Sequence, residues 1–324
     1  MPSCGLQRLT GPGVLLIAIT AAAGCWTQNP ALPAITFIPK STDGLLWEME
    51  RSGATAAAEG LNWQISWKAP TSESDFTGQV SLIDQARQSG GRGLVLAPNH
   101  QLAPLGPLRR VLEEGIPVVV ISTPLGLPAG GKLGYIVNDD AKMGELAAAE
   151  AARLIDGIGS VALVGLSRSV PGVMDRVRGA EKLLADQFPG IQVVSRRGGA
   201  FSASSAQQEA AQILSEHANV GAILTFTVNS TRGVHAALTN RKAEREVHLV
   251  GCDQDTDLLG YVASGDVAAI VAADVYRMAY EGVEAVSASS EGRPMPALSV
   301  VPPILITKQN LYSAEVRSYT EPIR

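Results

Sequence analysis

Residues 93–121 read GLVLAPNHQLAPLGPLRRVLEEGIPVVVI. Two short apolar runs, Gly93 to Ala97 and Pro117 to Ile121, flank a segment of helical period from Leu105 to Glu114. Short runs that are apolar throughout are typical of strands buried on both faces, and a helix between two such strands is the crossover of a parallel sheet. The stretch therefore predicts a β–α–β unit and an α/β fold.

The same unit recurs on both sides of this stretch. Upstream, the strand Ala34 to Ile38 is followed by a helical segment from Leu45 to Glu59, which Gly60 is placed to end. A second series begins with the strand Ser160 to Val164 and closes with the helix Tyr276 to Ala288. Two such series predict two doubly wound lobes, whose ligands bind beyond the carboxyl ends of the strands. A length of 324 residues, at roughly 100–200 residues per domain, agrees with two domains.

Residues 1–25 predict a signal for export rather than a part of the fold. Arg8 gives a short positive region, and the apolar stretch that begins at Gly13 is about a dozen residues long, shorter than the roughly 20 of a membrane-spanning helix. Small residues precede Cys25 and resemble a bacterial lipobox, with Ala22 where Leu is usual. We therefore expect an exported lipoprotein, periplasmic or at the cell surface, that is acylated at Cys25 and tethered by residues 26–32. An ordinary secretory signal peptide with a chance cysteine is the alternative.

Composition and motifs argue against several classes of function. The net charge of −5 and the scattered Lys and Arg residues argue against nucleic-acid binding, which needs clustered positive charge. No G-x-G-x-x-G follows the first strand and no G-x-x-x-x-G-K-[ST] occurs in the sequence, so no cofactor is expected. The four histidines lack metal spacing, and Cys252 is the one cysteine in the body of the chain. Neither an internal disulfide nor a zinc site is therefore expected.

An ordered set of short motifs runs through the chain. In the first half they are Phe37-Ile38-Pro39-Lys40, Trp47-Glu48-Met49, Pro70 to Phe76, Gly93 to Pro98 and Asn138-Asp139-Asp140. In the second half they are Arg176 to Gly179, Thr227 to Ser230, Val250 to Asp253 and Tyr276-Arg277-Met278. In their order and spacing they resemble the type I periplasmic sugar-binding proteins, the ribose-binding-protein-like solute-binding lipoproteins of ABC transporters. The resemblance covers nearly all of the mature chain, although no single motif is diagnostic.

This resemblance implies two Rossmann-like lobes that are joined by three hinge strands and clamp a ligand between them. The chain would then cross from one lobe to the other near residues 138–140, near 273–274 and near 302–306. The first lobe would contain residues 33–138 and 275–302, and the second lobe would contain residues 139–274 and 303–324.

A sugar offers hydroxyl donors and acceptors around a ring with apolar faces, so its site calls for carboxylates, amides and an aromatic plate. The resemblance places Asn229 and Asp253 at ligand-contacting positions, and Arg176 matches the family's arginine in the second lobe. The full set of predicted ligand-binding residues is Lys40, Asp43, Trp47, Ser122, Thr123, Asp139, Arg168, Arg176, Asn229, Asp253 and Asp274. A core position for Trp47, a structural salt bridge for Arg176 and a helix cap for Asp274 are the alternatives left open.

Two positions depart from the family pattern. Sugar-binding relatives commonly place an acid, and often an Arg, after the strand that here ends at Ile121, but this chain has Ser122 and Thr123. At the second crossing, where relatives commonly place a Gln, it has Ala273. A lost charged hydrogen bond costs about 1.5–3 kcal/mol, so we expect a less charged cleft. A less polar sugar, a polyol, a furanosyl signal molecule and another small metabolite all stay open as ligands.

The sequence thus predicts the extracytoplasmic solute-binding component of an ABC-type importer, which captures a small polar ligand, a sugar or a sugar-like molecule, by hinge closure. The expected partners are this ligand, the permease subunits and, through the lipid alone, a membrane; we expect a monomer and no nucleic acid. A ligand sensor of the same fold that feeds a signalling receptor is the alternative. An enzyme is not expected, because nothing fixes a nucleophile or a raised pKa.

Overall fold

Twelve strands and ten helices make up the part of the chain that the structure describes, residues 32–42, 44–242 and 246–321 of a computed structural model. In chain order they are β1 Ala34–Ile38, α1 Leu45–Leu61, β2 Gln64–Trp67, α2 Phe76–Gln88, β3 Leu94–Leu96, α3 Leu105–Glu113, β4 Val118–Ser122, β5 Leu133–Asn138, α4 Asp140–Leu154, β6 Gly159–Val164, α5 Val173–Gln187, β7 Ile191–Arg197, α6 Ala203–Glu216, β8 Ala222–Thr225, α7 Val228–Arg241, β9 His248–Cys252, α8 Thr256–Ser264, β10 Ala269–Ala272, α9 Val275–Ser290, β11 Leu298–Val301, β12 Ile304–Thr307 and α10 Ala314–Thr320. The predicted export signal, residues 26–31 of the tether, Cys25 and Asp43 lie outside the described residues. Within the described ranges, no helix has the length and apolar character needed to cross a membrane.

The described strands form two six-stranded sheets. The first sheet has the order β11-β5-β4-β3-β1-β2, and all of its pairings are parallel. The second sheet has the order β12-β10-β9-β8-β6-β7 and is parallel except that β12 runs antiparallel to β10. The predicted fold of two α/β lobes is therefore confirmed, and we call them the first and second lobe after their sheets.

The stretch that predicted the fold forms β3, α3 and β4 in the middle of the first lobe. All residues of β3 and β4 are buried. Val95 and Val119 pack on the side of α1 and α9, whereas Leu94 and Val118 pack on the side of α2 and α3. Burial of one Val or Leu side chain stabilises the fold by about 1.5–3 kcal/mol. Helices on both faces of the sheet therefore explain why these strands are apolar throughout.

The chain passes from one sheet to the other at three places. After β5 of the first sheet, α4 packs on α5, β9 and β10 of the second lobe. After β10 of the second sheet, α9 packs on α1 and β4 of the first lobe. Pro302 and Pro303 then separate β11 of the first sheet from β12 of the second. A hinge role for these passages stays a prediction, as do the lobe bounds 33–138 with 275–302 and 139–274 with 303–324.

Two helix ends show how single side chains set the boundaries. Asp75 caps α2, where its Oδ1 accepts a hydrogen bond from Gly78 N at 2.8 Å. Gly60 does not end α1 as predicted, because the helix continues to Leu61 and the left-handed residue is Asn62, with a φ of 57°. An Asn tolerates this conformation, and its backbone N–H satisfies the last free carbonyl oxygens of the helix.

Helices α4 and α5 approach closely because glycines lie at their contact. A Cβ atom on Gly144 would overlap the carbonyl oxygen of Arg176, and one on Gly179 would overlap that of Ala141. This close approach brings Asp140, the first residue of α4, into an ion pair with Arg176 of α5. A side chain at either glycine would push the two helices apart and disturb this pair.

Candidate ligand-binding cleft

A small cavity, which we call the first chamber, lies between the lobes at the carboxyl ends of their strands. Its free volume is about 40 Å³. Ser122 ends β4, Asn138 ends β5 and Asp253 follows β9. The full lining consists of Lys40, Leu46, Trp47, Glu73, Asn99, Ser122, Asn138, Val170, Pro171, Val173, Arg176, Phe201, Phe226, Thr227, Val228, Asp253, Ala273 and Val275. Both lobes contribute, and the place is the one at which doubly wound sheets bind their ligands.

Arg176 is the centre of charge in the first chamber. Its side chain is 4% exposed, and its Nε donates to Asp140 Oδ1 at 2.8 Å. Its Nη1 donates to Asp253 Oδ2 at 2.7 Å and to the carbonyl oxygen of Phe226 at 3.0 Å. Burial alone would lower the pKa of Arg176, but the carboxylates of Asp253 and Asp140 outweigh burial and raise this pKa well above its usual value. The guanidinium is therefore a fixed cation that holds Asp253 at the cavity wall.

Two lining residues, Ser122 and Asp253, have a left-handed backbone, with φ of 70° and 69°. Residues other than Gly, Asn and Asp rarely adopt this region, because it costs roughly 1–3 kcal/mol unless the surrounding structure holds it. Ser122 ends β4 and Asp253 follows β9, so each belongs to a strand inside its sheet. Asp253 tolerates this conformation, so Ser122 is the outlier of the two, and outliers of this kind concentrate at functional sites.

Asn99, in the loop after β3, brings an unsatisfied acceptor to the first chamber. Its Nδ2 donates to the carbonyl oxygen of Asp75 at 3.2 Å, whereas its buried Oδ1 has no hydrogen-bond partner among the described residues. Gln79 fixes this loop, because its Oε1 accepts from Asn99 N at 3.0 Å and its Nε2 donates to the carbonyl oxygens of Pro39 and Ala97. A buried acceptor without a donor costs about 1–3 kcal/mol, so a ligand hydroxyl that donates to Oδ1 would remove this cost.

Two glutamates that the sequence analysis did not select lie on the first-lobe side. Glu50 of α1 is fully buried, and neither carboxyl oxygen has a hydrogen-bond partner among the described residues, although Ser122 lies beside it. Burial raises the pKa of Glu50 to about 8, with Lys40 opposing and Glu73 adding to the rise. Burial also raises the pKa of Glu73, which lines the chamber. Glu50, which is buried and does not line the chamber, is therefore largely protonated at neutral pH, and the first-lobe side carries less negative charge than its composition implies.

The first chamber brings together five of the predicted residues. They are Lys40, Trp47, Ser122, Arg176 and Asp253. Trp47 lines the cavity and also packs in the core of the first lobe, so its core position is confirmed and its contact with a ligand stays a prediction. Arg176 likewise combines the salt bridge with a place in the cavity wall.

Four predicted residues do not reach a cavity wall. Thr123 is buried behind the wall, where its Oγ1 donates to Asp140 Oδ2 at 2.9 Å. Asp139 and Asp274 cap α4 and α9, with carboxylates that accept from backbone N–H groups at 2.9 and 3.0 Å. Arg168 is exposed. Both caps follow strands, and the rule that ligands bind beyond the carboxyl ends of strands therefore favoured them as ligand residues. The same loops also start the next helix, where a carboxylate satisfies free backbone N–H groups.

A second cavity, which we call the second chamber, adjoins the first and has a free volume of about 200 Å³. Five residues line both chambers, namely Leu46, Trp47, Glu73, Phe201 and Val228. The second chamber alone is lined by Ser41, Gly44, Thr71, Ser72, Ser74, Asn229, Arg232 and Asp255. The predicted ligand residue Asn229 thus lies here rather than in the first chamber, and its Nδ2 donates to the carbonyl oxygen of Phe201 at 3.3 Å.

The two lobes touch each other around the chambers. Leu45 N, at the start of α1, donates to Asp255 Oδ1 of the second lobe at 3.3 Å. Gln101 N of the first lobe donates to the carbonyl oxygen of Ser169 at 3.0 Å. The structure therefore has its lobes closed over the first chamber.

Two α/β lobes with a polar cavity at the strand ends between them define a two-lobed binding protein. A family profile described as periplasmic binding protein domain matches residues 35–294, and the chain belongs to this family. The chain is similar to the D-apiose import binding protein of Paraburkholderia graminis, with 25% identity over 281 residues that cover 85% of this chain and 88% of that protein. It is also similar to the D-allose-binding periplasmic protein of Escherichia coli, with 23% identity over 285 residues that cover 83% of this chain and 90% of that protein.

Solved structures share the fold. A carbohydrate transporter solute binding protein from Agrobacterium radiobacter, in complex with D-arabinose, has a TM-score of 0.83 at 21% identity and covers 90% of this chain and 100% of its own. An ABC transporter solute binding protein from Agrobacterium vitis, bound with α-D-tagatopyranose, has a TM-score of 0.83 at 22% identity and covers 89% of this chain and 98% of its own. The fold is that of the type I periplasmic binding proteins, and the resemblance carried by the sequence motifs is confirmed.

Proposed function

We propose that this protein is the extracytoplasmic solute-binding component of an ABC-type importer and that it captures a sugar or a sugar-like molecule between its lobes. The first chamber carries the proposal, because it lies between the lobes and takes polar groups from both. The similar proteins named for D-apiose import and D-allose binding support a carbohydrate ligand. They give no support to the sensor alternative, so we propose the importer function alone.

The chemistry of the first chamber suits a neutral, hydroxylated ring. Arg176 donates hydrogen bonds, Asp253 and the Oδ1 of Asn99 accept them, and the indole of Trp47 offers an apolar surface. Charge-assisted bonds to Arg176 and Asp253 contribute about 1.5–3 kcal/mol each. Asp140 and Asp253 both pair with Arg176, so this cation is not left over for an anionic ligand.

Closure follows from the division of these groups between the lobes. Trp47, Asn99 and Ser122 belong to the first lobe, and Arg176 and Asp253 belong to the second. A ligand in an open cleft contacts one set, whereas a ligand in the closed cleft contacts both, so the ligand selects the closed form. The passages near residues 138–140, 273–274 and 302–306 serve as the hinge, and permease subunits recognise the closed form.

Export and a lipid anchor complete the proposal. Residues 1–25 direct export, and Cys25 carries the lipid that holds a periplasmic or cell-surface protein at a membrane. The periplasmic relative from Escherichia coli supports export. On this proposal the protein acts as a monomer and does no chemistry on its ligand. Palmitate labelling of cells that produce the protein tests the anchor, with Cys25→Ser as the variant that should lose the label.

Thermal-shift measurements on the purified protein test the binding function, with D-ribose, D-allose, D-arabinose, D-apiose and simple polyols as probes. A ligand at a hundred times its Kd adds about 2.7 kcal/mol of stability, which raises Tm by a few degrees. We expect a saturable rise with at least one carbohydrate, a loss of this rise in Asp253→Asn and its retention in Asp186→Asn, whose carboxylate is exposed on α5. The absence of a rise with every carbohydrate would contradict the proposal.

A further inference from the structure

The second chamber is the larger part of the cleft. Its free volume is about 200 Å³, whereas that of the first chamber is about 40 Å³. One water molecule needs roughly 10–15 Å³ of such volume, so the first chamber holds about three waters and the second holds about a dozen or more. A sugar ring is larger than three waters, so a ring that contacts Asp253 in the first chamber extends to the wall shared with the second chamber and still leaves most of the second chamber unfilled.

The two chambers are parts of one cleft. Trp47 and Glu73 of the first lobe, and Phe201 and Val228 of the second, line both of them. Trp47 is 6% exposed, so its position in this shared wall is fixed by the packing around it. A substituent on a ring in the first chamber is thus directly beside the second chamber.

Hydroxyl and amide groups dominate the wall that belongs to the second chamber alone. Ser41, Thr71, Ser72 and Ser74 each supply a hydroxyl. Thr71 Oγ1 donates to Asp75 Oδ2 at 3.1 Å, and the hydroxyls of Ser72 and Ser74 bond to each other at 3.1 Å, so these three keep acceptor capacity for a ligand. Asn229 uses its Nδ2 for the carbonyl oxygen of Phe201, and its Oδ1 has no partner among the described residues. Such a wall exchanges donors and acceptors with the hydroxyl groups of a ligand.

The acids beside the second chamber outnumber its one arginine. Arg232 Nη2 donates to Asp255 Oδ2 at 2.9 Å, and Arg232 Nε donates to Asp257 Oδ2 at 2.7 Å. Glu73 adds a further acid to the wall. Two carboxylates on one guanidinium leave no positive charge for a phosphate or carboxylate group of a ligand. The chamber therefore disfavours an anionic group, and its hydroxyl and amide groups suit a neutral, hydroxylated one.

We propose that the second chamber is a binding subsite for a second sugar ring, so that the preferred ligand is a disaccharide or a glycoside with a hydroxylated aglycone. This inference rests on the proposed function, because it places the first ring of the same ligand in the first chamber. Trp47 then packs against both rings, since it lines both chambers. The first ring contacts Asp253, and the second ring contacts Asn229 and the hydroxyls of the Thr71–Ser74 loop.

Isothermal titration calorimetry of the purified protein tests the subsite, with D-glucose, D-galactose, D-xylose, maltose, cellobiose, lactose, melibiose and xylobiose as probes. We expect at least one disaccharide to bind about tenfold or more tightly than the monosaccharides that compose it. Ser72→Trp fills the second chamber from an exposed loop and should weaken this disaccharide about tenfold, while monosaccharide affinity changes less than about twofold. Ser81→Trp, at an exposed position of α2, is the matched control and should change neither affinity.

The outcomes separate the subsite from the function on which it rests. Monosaccharides that bind as tightly as every disaccharide, with no effect of Ser72→Trp, would overturn the subsite and leave the importer function standing. An equal loss of monosaccharide and disaccharide affinity in Ser72→Trp would also overturn the subsite, because the tryptophan would then block entry to the whole cleft. Binding of no carbohydrate at all would overturn both proposals.

Discussion

The two sides of the first chamber differ in how their polar groups are satisfied. On the second-lobe side, Arg176 bonds to both Asp140 and Asp253. On the first-lobe side, Asn99 Oδ1 and the carboxyl group of Glu50 have no hydrogen-bond partner among the described residues. The charges of the second-lobe wall thus have partners within the protein, whereas Asn99 in the first-lobe wall keeps an acceptor without a donor.

This difference gives each lobe its own part in binding. On the second-lobe side, a fixed cation beside a carboxylate offers strong, oriented hydrogen bonds to a ligand. On the first-lobe side, a buried acceptor without a donor costs about 1–3 kcal/mol. A ligand that donates to Asn99 Oδ1 would offset this cost.

Removal of Arg176 should break the second-lobe wall and have the largest effect. Arg176→Met leaves the carboxylates of Asp140 and Asp253 buried without their cation. Removal of one partner of a buried pair costs about 3–5 kcal/mol, so we expect urea unfolding to report a loss of this size and carbohydrate binding to disappear. Arg178→Met removes an exposed ion pair with Asp175 in the same helix and should leave stability nearly unchanged. Similar losses in the two variants would show that charge does not hold this wall.

Glu50 provides the corresponding test of the first-lobe wall, through pH. Burial raises the pKa of Glu50 from 4.5 to about 8, so between these values the folded protein keeps a proton that the unfolded chain has released. The contribution of Glu50 to the free energy of unfolding therefore falls as the pH rises from 4.5 to about 8. Above about pH 8 the group is ionised in both states, and its contribution no longer changes with pH. Glu50→Gln removes this slope and should stabilise the protein by roughly 2–4 kcal/mol at a pH of about 8.

Urea unfolding at several pH values between these limits measures the slope. Glu48→Gln is the matched control, because Glu48 lies on the same helix but is exposed, and it should keep the slope of the unmodified protein. A Glu50→Gln variant with an unchanged slope would mean that the buried carboxyl does not hold its proton.

The sequence predicted those parts of the fold whose apolar residues have a clear period. The strands predicted at Gly93 to Ala97, Pro117 to Ile121 and Ser160 to Val164 are β3, β4 and β6, and each end lies within one residue of its predicted position. Helices α4, α8 and α10 were not predicted. The buried face of α4 consists largely of alanines such as Ala147 and Ala151, which are too small to give a strong apolar period.

The site was harder to predict than the fold, because burial and pairing depend on residues far apart in sequence. Arg176 and Asp253 came from the family resemblance, and both lie in the first chamber. Asn99 was missed although it stands just beyond β3, where the strand-end rule applies. Glu50 was missed because a glutamate in a helix is usually solvated, and its place among the apolar residues of α1 was the one signal of burial.

Substitution of Ser122 should have the smallest effect, and it tests whether the left-handed residue at the end of β4 contributes to ligand binding. Glycine adopts a φ of 70° without the cost of about 1–2 kcal/mol that a Cβ carries, but it also gives the unfolded chain about 0.5–1 kcal/mol of extra freedom. Ser122→Gly should therefore raise the free energy of unfolding by less than about 1 kcal/mol. It also removes a hydroxyl from the first-lobe wall, so a lost neutral hydrogen bond should weaken carbohydrate binding by roughly two- to tenfold.

Asn62→Gly is the matched control for this variant, since Asn62 also has a left-handed φ but caps α1 and lines neither chamber. Asn tolerates this conformation, so we expect little change in stability and none in carbohydrate affinity. Urea unfolding and calorimetric titration compare the two. If Ser122→Gly gains stability and binds carbohydrate as the unmodified protein does, the left-handed backbone at Ser122 serves only to turn the chain at the end of β4 and has no role in binding the ligand. The ligand contacts of the first lobe would then come from its other lining residues, among them Lys40, Trp47 and Asn99.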